Sequence, residues 1–423
     1  MREPGAEGVS ALASLLIDAE LLGDGAIKYG SPDLVIFNSG GPATHLARNS
    51  ILCGPSKVRI LIRQPNTQFP NNSNNAMEGK IELVSQKPVL TAEVEEWKHG
   101  CWYHSNIISA ANLGELLNKL KQLTPKYEFI NNQEYLPNGA FWAGSIAYDM
   151  IQWTQPISLE KLPTNNEILA VLWLVDNYII HSVKDDEYSI YGENLMWTKK
   201  VEELIDDGEI NFDLSPQPDN NNEETSSIND EQHIHFIQQI RDSIANGMFY
   251  QVNFGRFWSG KLIENPLTIF QRLAITNPAP FSAYIEAVDL GLAIVSSSPE
   301  TLLRCNNRFL STAPIKGTVT RGANKSEDLA MIASMIADVK ERSEHRMLVD
   351  LMRNDLSSIC KVGSVNVDRF DVESYANVHH LVSHINGELL DKHTSNDALD
   401  AIFPGGSITG CPRTMVCAAI DQI

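Results

Sequence analysis

Two things are scarce in this 423-residue chain: cysteine and positive charge. Its six cysteines, Cys53, Cys101, Cys305, Cys360, Cys411 and Cys417, are scattered. None forms a CxxC pair or a zinc-type spacing, which argues against a structural metal site. Lys and Arg total 33 against 53 Asp and Glu, for a formal net charge of −20. A nucleic-acid partner needs a basic face, so that class of function is set aside. An anionic substrate would have to be held by local cations, a metal or backbone amides, because the global field repels it. Long apolar runs are missing too. The longest, Ile168 to Val175, stops at Asp176, well short of the roughly 20 residues of a membrane helix. The N-terminus, MREPGAEGVS, has no basic region followed by an apolar one, so no secretory signal is read there. These absences predict a cytoplasmic protein with reduced thiols, no membrane and no nucleic acid among its partners.

What is present suits a large layered domain or two coupled ones. Hydrophobic residues make up 43% of the chain, enough for an ordinary interior. Residues 1–204 carry short β-like runs, among them Leu34–Phe37, Val58–Ile62 and Ile168–Val175, with turn clusters such as FPNNSNN (69–75) between them. Residues 205–231 are acidic, polar and poor in aromatics, the composition of a surface linker. Residues 232–423 form the third segment. There Ile234, Ile237, Ile240 and Ile244 recur at helical spacing, and the β-prone run FYQVNFGRFW follows. Leu292–Val295 reads as a strand leading into SSSPE. TLLRC and RFLST flank Asn306-Asn307, read as a two-residue hairpin turn. Residues 327–352 read as one long helix, apolar on two faces and therefore buried. Asn396–Ile402 reads as a short helix before a glycine-rich loop.

Three features could carry chemistry. With Asn306-Asn307 as the turn, Glu300 falls opposite Ala313 and Lys316 lies three residues on, about 10 Å along a strand. The two side chains could face one cavity, although on spacing alone an exposed ion pair is the simpler account. Glu344 falls on the alanine–leucine face of its helix, where a carboxylate is costly unless paired or metal-bound. Metal ligation, with Mg²⁺ as the natural ion for an anionic substrate, and a rim position both remain open. In PGGSITGCPR (404–413), Gly405, Gly406 and Gly410 let backbone amides approach an anion. The spacing imitates a phosphate loop, but Cys411-Pro412 replaces its Lys-Ser/Thr, so nucleotide binding is excluded; an ordinary interhelical loop with a solvated Arg413 is the plain alternative. His380 and His384 stand four apart in VHHLVSH (378–384) without a third ligand. A structural histidine is the commoner outcome, and a role for His380 as proton donor stays open.

Together these residues resemble the chorismate-utilising enzymes. The matching blocks are YQVNFGRF (250–257), SSSPE (296–300), PIKGT (314–318), EHRMLVDLMRNDL (344–356), VHHLVSHINGEL (378–389) and FPGGSITGCPR (403–413). NSGGPATHLARNSIL (38–52) and GAFWAGSIAYD (139–149) match more loosely. The resemblance implies an α/β fold of two β-sheets packed on each other with helices outside. In that family the residue at Lys316 is Ala in anthranilate synthases and Lys in aminodeoxychorismate synthases. Gln251 stands where isochorismate and salicylate synthases carry a water-activating lysine, which suits ammonia. Both positions point to amination of chorismate at carbon 4, toward 4-aminobenzoate and folate. The resemblance assigns Glu300 as proton donor to the departing 4-hydroxyl and Lys316 as the amine that adds to ring carbon 2, which it does only when neutral. It assigns Glu344 as one ligand of the Mg²⁺ that binds the ring carboxylate, and Gln251, Asn253, Gly317, Thr318, Thr409 and Gly410 as substrate contacts. It also implies chorismate as a partner, with ammonia from a separate glutamine amidotransferase subunit, since no glutaminase-type cysteine is found here.

Two departures are noted. Family members continue beyond the helix after GCPR, into a segment with a further metal glutamate, so the resemblance implies a chain that stops short of a complete site; an inactive remnant and an anthranilate synthase component are the alternative readings. The amino-acid effector site of related proteins is matched by Ser39, Pro280, Phe281 and Ser282, but Asn38 replaces its acidic residue. Strong feedback by tryptophan is therefore not expected.

Overall fold

The computed structural model describes residues 6–41, 48–66, 76–81, 83–84, 87–126, 136–207 and 223–423. In chain order the first strands are β1 Leu34–Asn38, β2 Asn49–Cys53, β3 Val58–Arg63, β4 Leu90–Lys98, β5 Cys101–Ala110, β6 Phe141–Ile146, β7 Ile168–Val175, β8 Asn177–Ser182 and β9 Glu187–Gly192. They are followed by β10 Thr225–Ser226, β11 Gln251–Val252, β12 Trp258–Ser259, β13 Phe281–Ala287, β14 Leu292–Ser298, β15 Thr301–Asn306, β16 Phe309–Ala313, β17 Ile315–Thr320, β18 Asn366–Ser374, β19 Val378–Glu388 and β20 Gly410–Cys411. The α-helices are α1 Ala6–Asp18, α2 Leu113–Leu123, α3 Ile151–Thr154, α4 Leu195–Asp207, α5 Asp230–Ala245 and α6 Pro266–Thr276. The remaining ones are α7 Lys325–Ala337, α8 Val339–Ser357, α9 Ser395–Ile402, α10 Gly406–Thr409 and α11 Arg413–Gln422.

Two antiparallel sheets pack face to face. One runs β14-β13-β1-β2-β8-β9 and the other β5-β4-β3-β7-β6. Strand alternation explains how each is covered on both faces. On β1, Leu34 and Ile36 pack toward α1, α4 and α6, while Val35 faces the second sheet. On β7, Ala170 and Leu172 pack toward α2 and α3, while Val171, Trp173 and Val175 face the first sheet. A strand buried on both sides needs no polar face, hence the unbroken apolar run at 168–175. Arg59 sits between the layers at 1% exposure, bonded to Asp33, Glu95 and Asp289 and stacked on Trp102. The first sheet takes four strands from before residue 205 and two from after 231, so those segments share one framework.

A third sheet, β15-β16-β19-β17 with β18 also on β19, carries the motif-rich segment. Several expectations are corrected here. The hairpin turn is Asn307-Arg308, because Asn306 pairs with Phe309 and Asn307 takes the positive φ of 54°. A bulge between Thr301 and Arg304 then sets Thr301, not Glu300, opposite Ala313. The single helix expected at 327–352 is two, α7 and α8, broken at Asp338, whose carboxylate accepts from Lys340 and Glu341 N–H. Nor is α7 buried on two faces: Met335 is covered, but Leu329, Met331 and Ile336 are exposed. The run FYQVNFGRFW gives only the short β11 and the start of β12, and on α5 Ile234 stays exposed while Ile240 is buried. FPNNSNN and most of the linker lie outside the described residues.

Candidate active site

The PIKGT block enters β17 through a bulge. Ile315 pairs with Val382 and Thr318 with His380, so Lys316 and Gly317 together oppose Leu381. Gly317 has φ +100°, and a Cβ there would sit 2.8 Å from Leu381 Cδ1, so only glycine fits without strain. A bulge re-aims the side chain it carries. Here it turns Lys316 toward α8, with Nζ 3.1 Å from Glu344 Oε2. Lys340 Nζ lies 3.8 Å from the other oxygen of that carboxylate. The carbonyl of Lys316 accepts a hydrogen bond from His345 Nδ1 at 3.0 Å.

Glu300 lies between β14 and β15. Its carboxylate faces the N–H of Ile315, next to Lys316, and the Ser407 hydroxyl of α10; burial holds its carboxyl above the usual carboxylate range, and these two donors offset part of that shift. One side chain thus ties together SSSPE, PIKGT and the glycine-rich loop. On the same strand pair, Thr318 Oγ1 and His380 Nδ1 are 2.8 Å apart, and the imidazole packs against Tyr375. Burial lowers the affinity of His380 for a proton, and Glu373 opposes that effect.

The YQVN block and the glycine-rich loop are joined directly. β11 pairs with β20, Gln251 opposite Cys411 and Val252 opposite Gly410. Gly410 has φ +136°, and a Cβ would sit 2.1 Å from the Gln251 carbonyl oxygen. The Asn253 amide donates to the carbonyls of Ser407 and Ile408 at 2.7 and 2.9 Å. Thr409, 1% exposed, donates its hydroxyl to Gly405 O at 3.1 Å. Asn253 and Thr409 therefore shape the loop. The Gln251 side-chain oxygen is buried with no hydrogen-bond partner among the described residues, a group ready for a donor.

Arg413 is not solvated, as a plain loop would have it. Its guanidinium donates to the carbonyls of Ala401 and Pro404 and pairs with Asp355 at 3.2 Å. Burial pushes the Asp355 carboxyl up to about 6, and Arg413 opposes the shift. Three residues missed from sequence are structural partners of the site: His345, which bonds Lys316, Ser383, which bonds His345, and Asp355, which pairs with Arg413. Asp355 and His345 fall inside EHRMLVDLMRNDL, yet nothing in their spacing shows what they bond.

As a Mg²⁺ site the described residues fit at one position only. Glu344 offers one carboxylate, already beside Lys316, and no group of three or more Asp, Glu, His or Cys side chains among the described residues could hold a metal. The effector-like residues do come together: Asn38 pairs with Ser282 across β1 and β13, Ser39 N–H donates to Ser50 Oγ, and Ser282 donates to Ala279 O just before Pro280 and Phe281. Residues 42–47 beside them lie outside the described set. No described helix is long and apolar enough to cross a membrane. All six cysteines are free thiols.

The third sheet and the elements beside it carry Lys316, Glu300 and the glycine-rich loop. The fold matches the anthranilate synthase component I from Streptococcus pneumoniae TIGR4 with a TM-score of 0.64 at 24% identity, over 90% of this chain and 78% of that one. It matches the menaquinone-specific isochorismate synthase from Escherichia coli with a TM-score of 0.54 at 16% identity, over 87% and 79%. Residues 74–423 match the chorismate binding enzyme family, and the chain belongs to it. Aminodeoxychorismate synthase component 1 of Bacillus subtilis (strain 168) is 40% identical over 188 residues, 44% of this chain and 40% of that protein. Anthranilate synthase component 1 of Aquifex aeolicus (strain VF5) is 30% identical over 328 residues, 73% of this chain and 65% of that protein. The matched stretches thus span between 40% and 65% of these relatives' lengths.

Proposed function

We propose that this chain is the chorismate-binding component of an aminodeoxychorismate synthase, converting chorismate and ammonia to 4-amino-4-deoxychorismate and water in the cytoplasm. The observation that carries the reading is Lys316 itself, an amine set on a bulge of β17, adjacent in sequence to the Ile315 N–H that faces Glu300 and in the same sheet as His380. In the proposed reaction Glu300 gives a proton to the 4-hydroxyl, which leaves as water while the Lys316 amine bonds to ring carbon 2. Ammonia then bonds to carbon 4, the carbon–lysine bond breaks, and the ring double bond returns. Glu344 is the residue of this chain proposed to meet Mg²⁺, which would neutralise the ring carboxylate. Ammonia is proposed to come from a glutamine amidotransferase subunit, in keeping with the "component 1" in the names of relatives.

The rival is an anthranilate synthase component, favoured by the names of several relatives. Product identity separates them. The natural full-length protein, given chorismate, Mg²⁺ and ammonium, should form a product that an aminodeoxychorismate lyase converts to 4-aminobenzoate. Direct release of anthranilate would overturn the assignment.

A further inference from the structure

We infer that His345 is a positioning residue that sets the reach of Lys316 by holding its backbone. The inference rests on the reading of Lys316 as the reacting amine. The ring is 1% exposed. Its Nδ1 lies 3.0 Å from the Lys316 carbonyl oxygen, and its Nε2 lies 2.7 Å from Ser383 Oγ. A carbonyl only accepts, so Nδ1 carries the hydrogen, and in the neutral ring Nε2 accepts from the Ser383 hydroxyl. Ser383 thereby selects the tautomer that points a donor at Lys316.

The bulge is why such a donor is needed. Lys316 and Gly317 share one opposing residue, Leu381, and at such a bulge the extra residue disrupts the regular ladder. A carbonyl sheltered from water and left unpaired costs free energy, and the segment would relax toward regular pairing to satisfy it. Relaxation by one residue would swing the lysine to the other face of the sheet. His345 removes that incentive. Its neighbour Glu344 holds the far end, with Nζ at 3.1 Å. Two consecutive residues of α8 therefore fix both ends of one lysine. The side-chain contact is half-exposed and adjustable, whereas the main-chain contact comes from a buried ring and is directional.

The test uses the full-length protein with chorismate and ammonium. His345→Leu keeps the volume and removes both bonds; kcat should fall about 100-fold, the cost of a misplacement near 1 Å, with KM moving less than about threefold. His345→Asn places an amide N–H near Nδ1 and should recover about tenfold of that loss. A purely structural histidine would not move a second readout. That is the rate at which acetic anhydride labels Lys316 relative to Lys340 in the same digest. The ratio should shift in His345→Leu and return toward wild type in His345→Asn. Wild-type kcat and an unchanged ratio in His345→Leu would overturn the inference. Should the leucine variant not fold, Ser383→Ala carries the test: kcat and the labelling ratio shift together, or the inference fails. Turnover surviving Lys316→Ala would remove the underlying reading. A dead Lys316→Ala beside a fully active His345→Leu would remove this inference alone.

Discussion

Lys316 and Glu344 meet at 3.1 Å across two elements, a bulged strand and a helix, with the side chains 33% and 32% exposed. A pair this open to water contributes little to stability, typically about 0–1 kcal/mol. Its value is directional: it sets where the amine stands before substrate enters.

Lys316→Ala should lower formation of 4-amino-4-deoxychorismate by roughly 10³-fold or more, the scale seen when a covalent nucleophile is lost. The readout is product quantified by mass after incubation with chorismate and ammonium. Turnover equal to wild type would mean the amine is not the nucleophile.

Glu300 should give the rate an alkaline limb. Burial raises its carboxyl pKa. A general acid works only while protonated, so kcat should decline as pH rises through that raised value. Glu300→Gln should lose roughly 10²–10⁴-fold in rate and lose the limb with it. A limb that persists in the variant belongs to another group.

Gly317→Ala should destabilise by about 1–3 kcal/mol, because a Cβ at φ +100° is strained and meets Leu381. Urea unfolding with an unchanged slope is the measurement.

How much of this could be read beforehand depends on the range of each interaction. Local pattern located β1, β3, β7 and the apolar sheet core, because side-chain alternation and burial are written in adjacent residues. The block PIKGT singled out Lys316, but not the bulge that aims it, since a bulge is defined by the partner strand. The break at Asp338 was written locally, in an acidic cap three residues before Glu341, and was overridden by the apolar period on either side. His345 was illegible for the opposite reason: its bonds reach Lys316 and Ser383, 29 and 38 residues away. The Arg413–Asp355 pair likewise spans two elements, and no charge pattern within either shows it.

Asp355 predicts a pH-dependent stability. Its folded pKa, up to about 6, lies above the ordinary 3.8. The folded state therefore binds the proton more tightly than the unfolded one. That advantage is full below about pH 4 and is lost as pH rises through 6. Wild type should lose about 2 kcal/mol relative to Asp355→Asn between pH 4.5 and 7, since each tenfold difference in proton affinity is worth about 1.4 kcal/mol. Parallel stability curves for the two proteins over that range would contradict it.

Tryptophan at micromolar concentration should leave turnover of the full-length protein unchanged within about twofold. Asn38, hydrogen-bonded to Ser50 at 3.2 Å, offers no carboxylate for an amino group. Strong inhibition in a steady-state assay would refute this.

The pairing of β11 with β20 also has a consequence in time. Asn253 grips carbonyls 154 and 155 residues further along the chain. At the usual 5–20 residues per second, a ribosome needs roughly 8–30 s to make that stretch. During that interval the YQVN segment has no strand to pair with. The nascent chain therefore carries a strand-forming segment whose partner has not yet been made, and a chaperone present during synthesis should raise the yield of native enzyme more than one added after release.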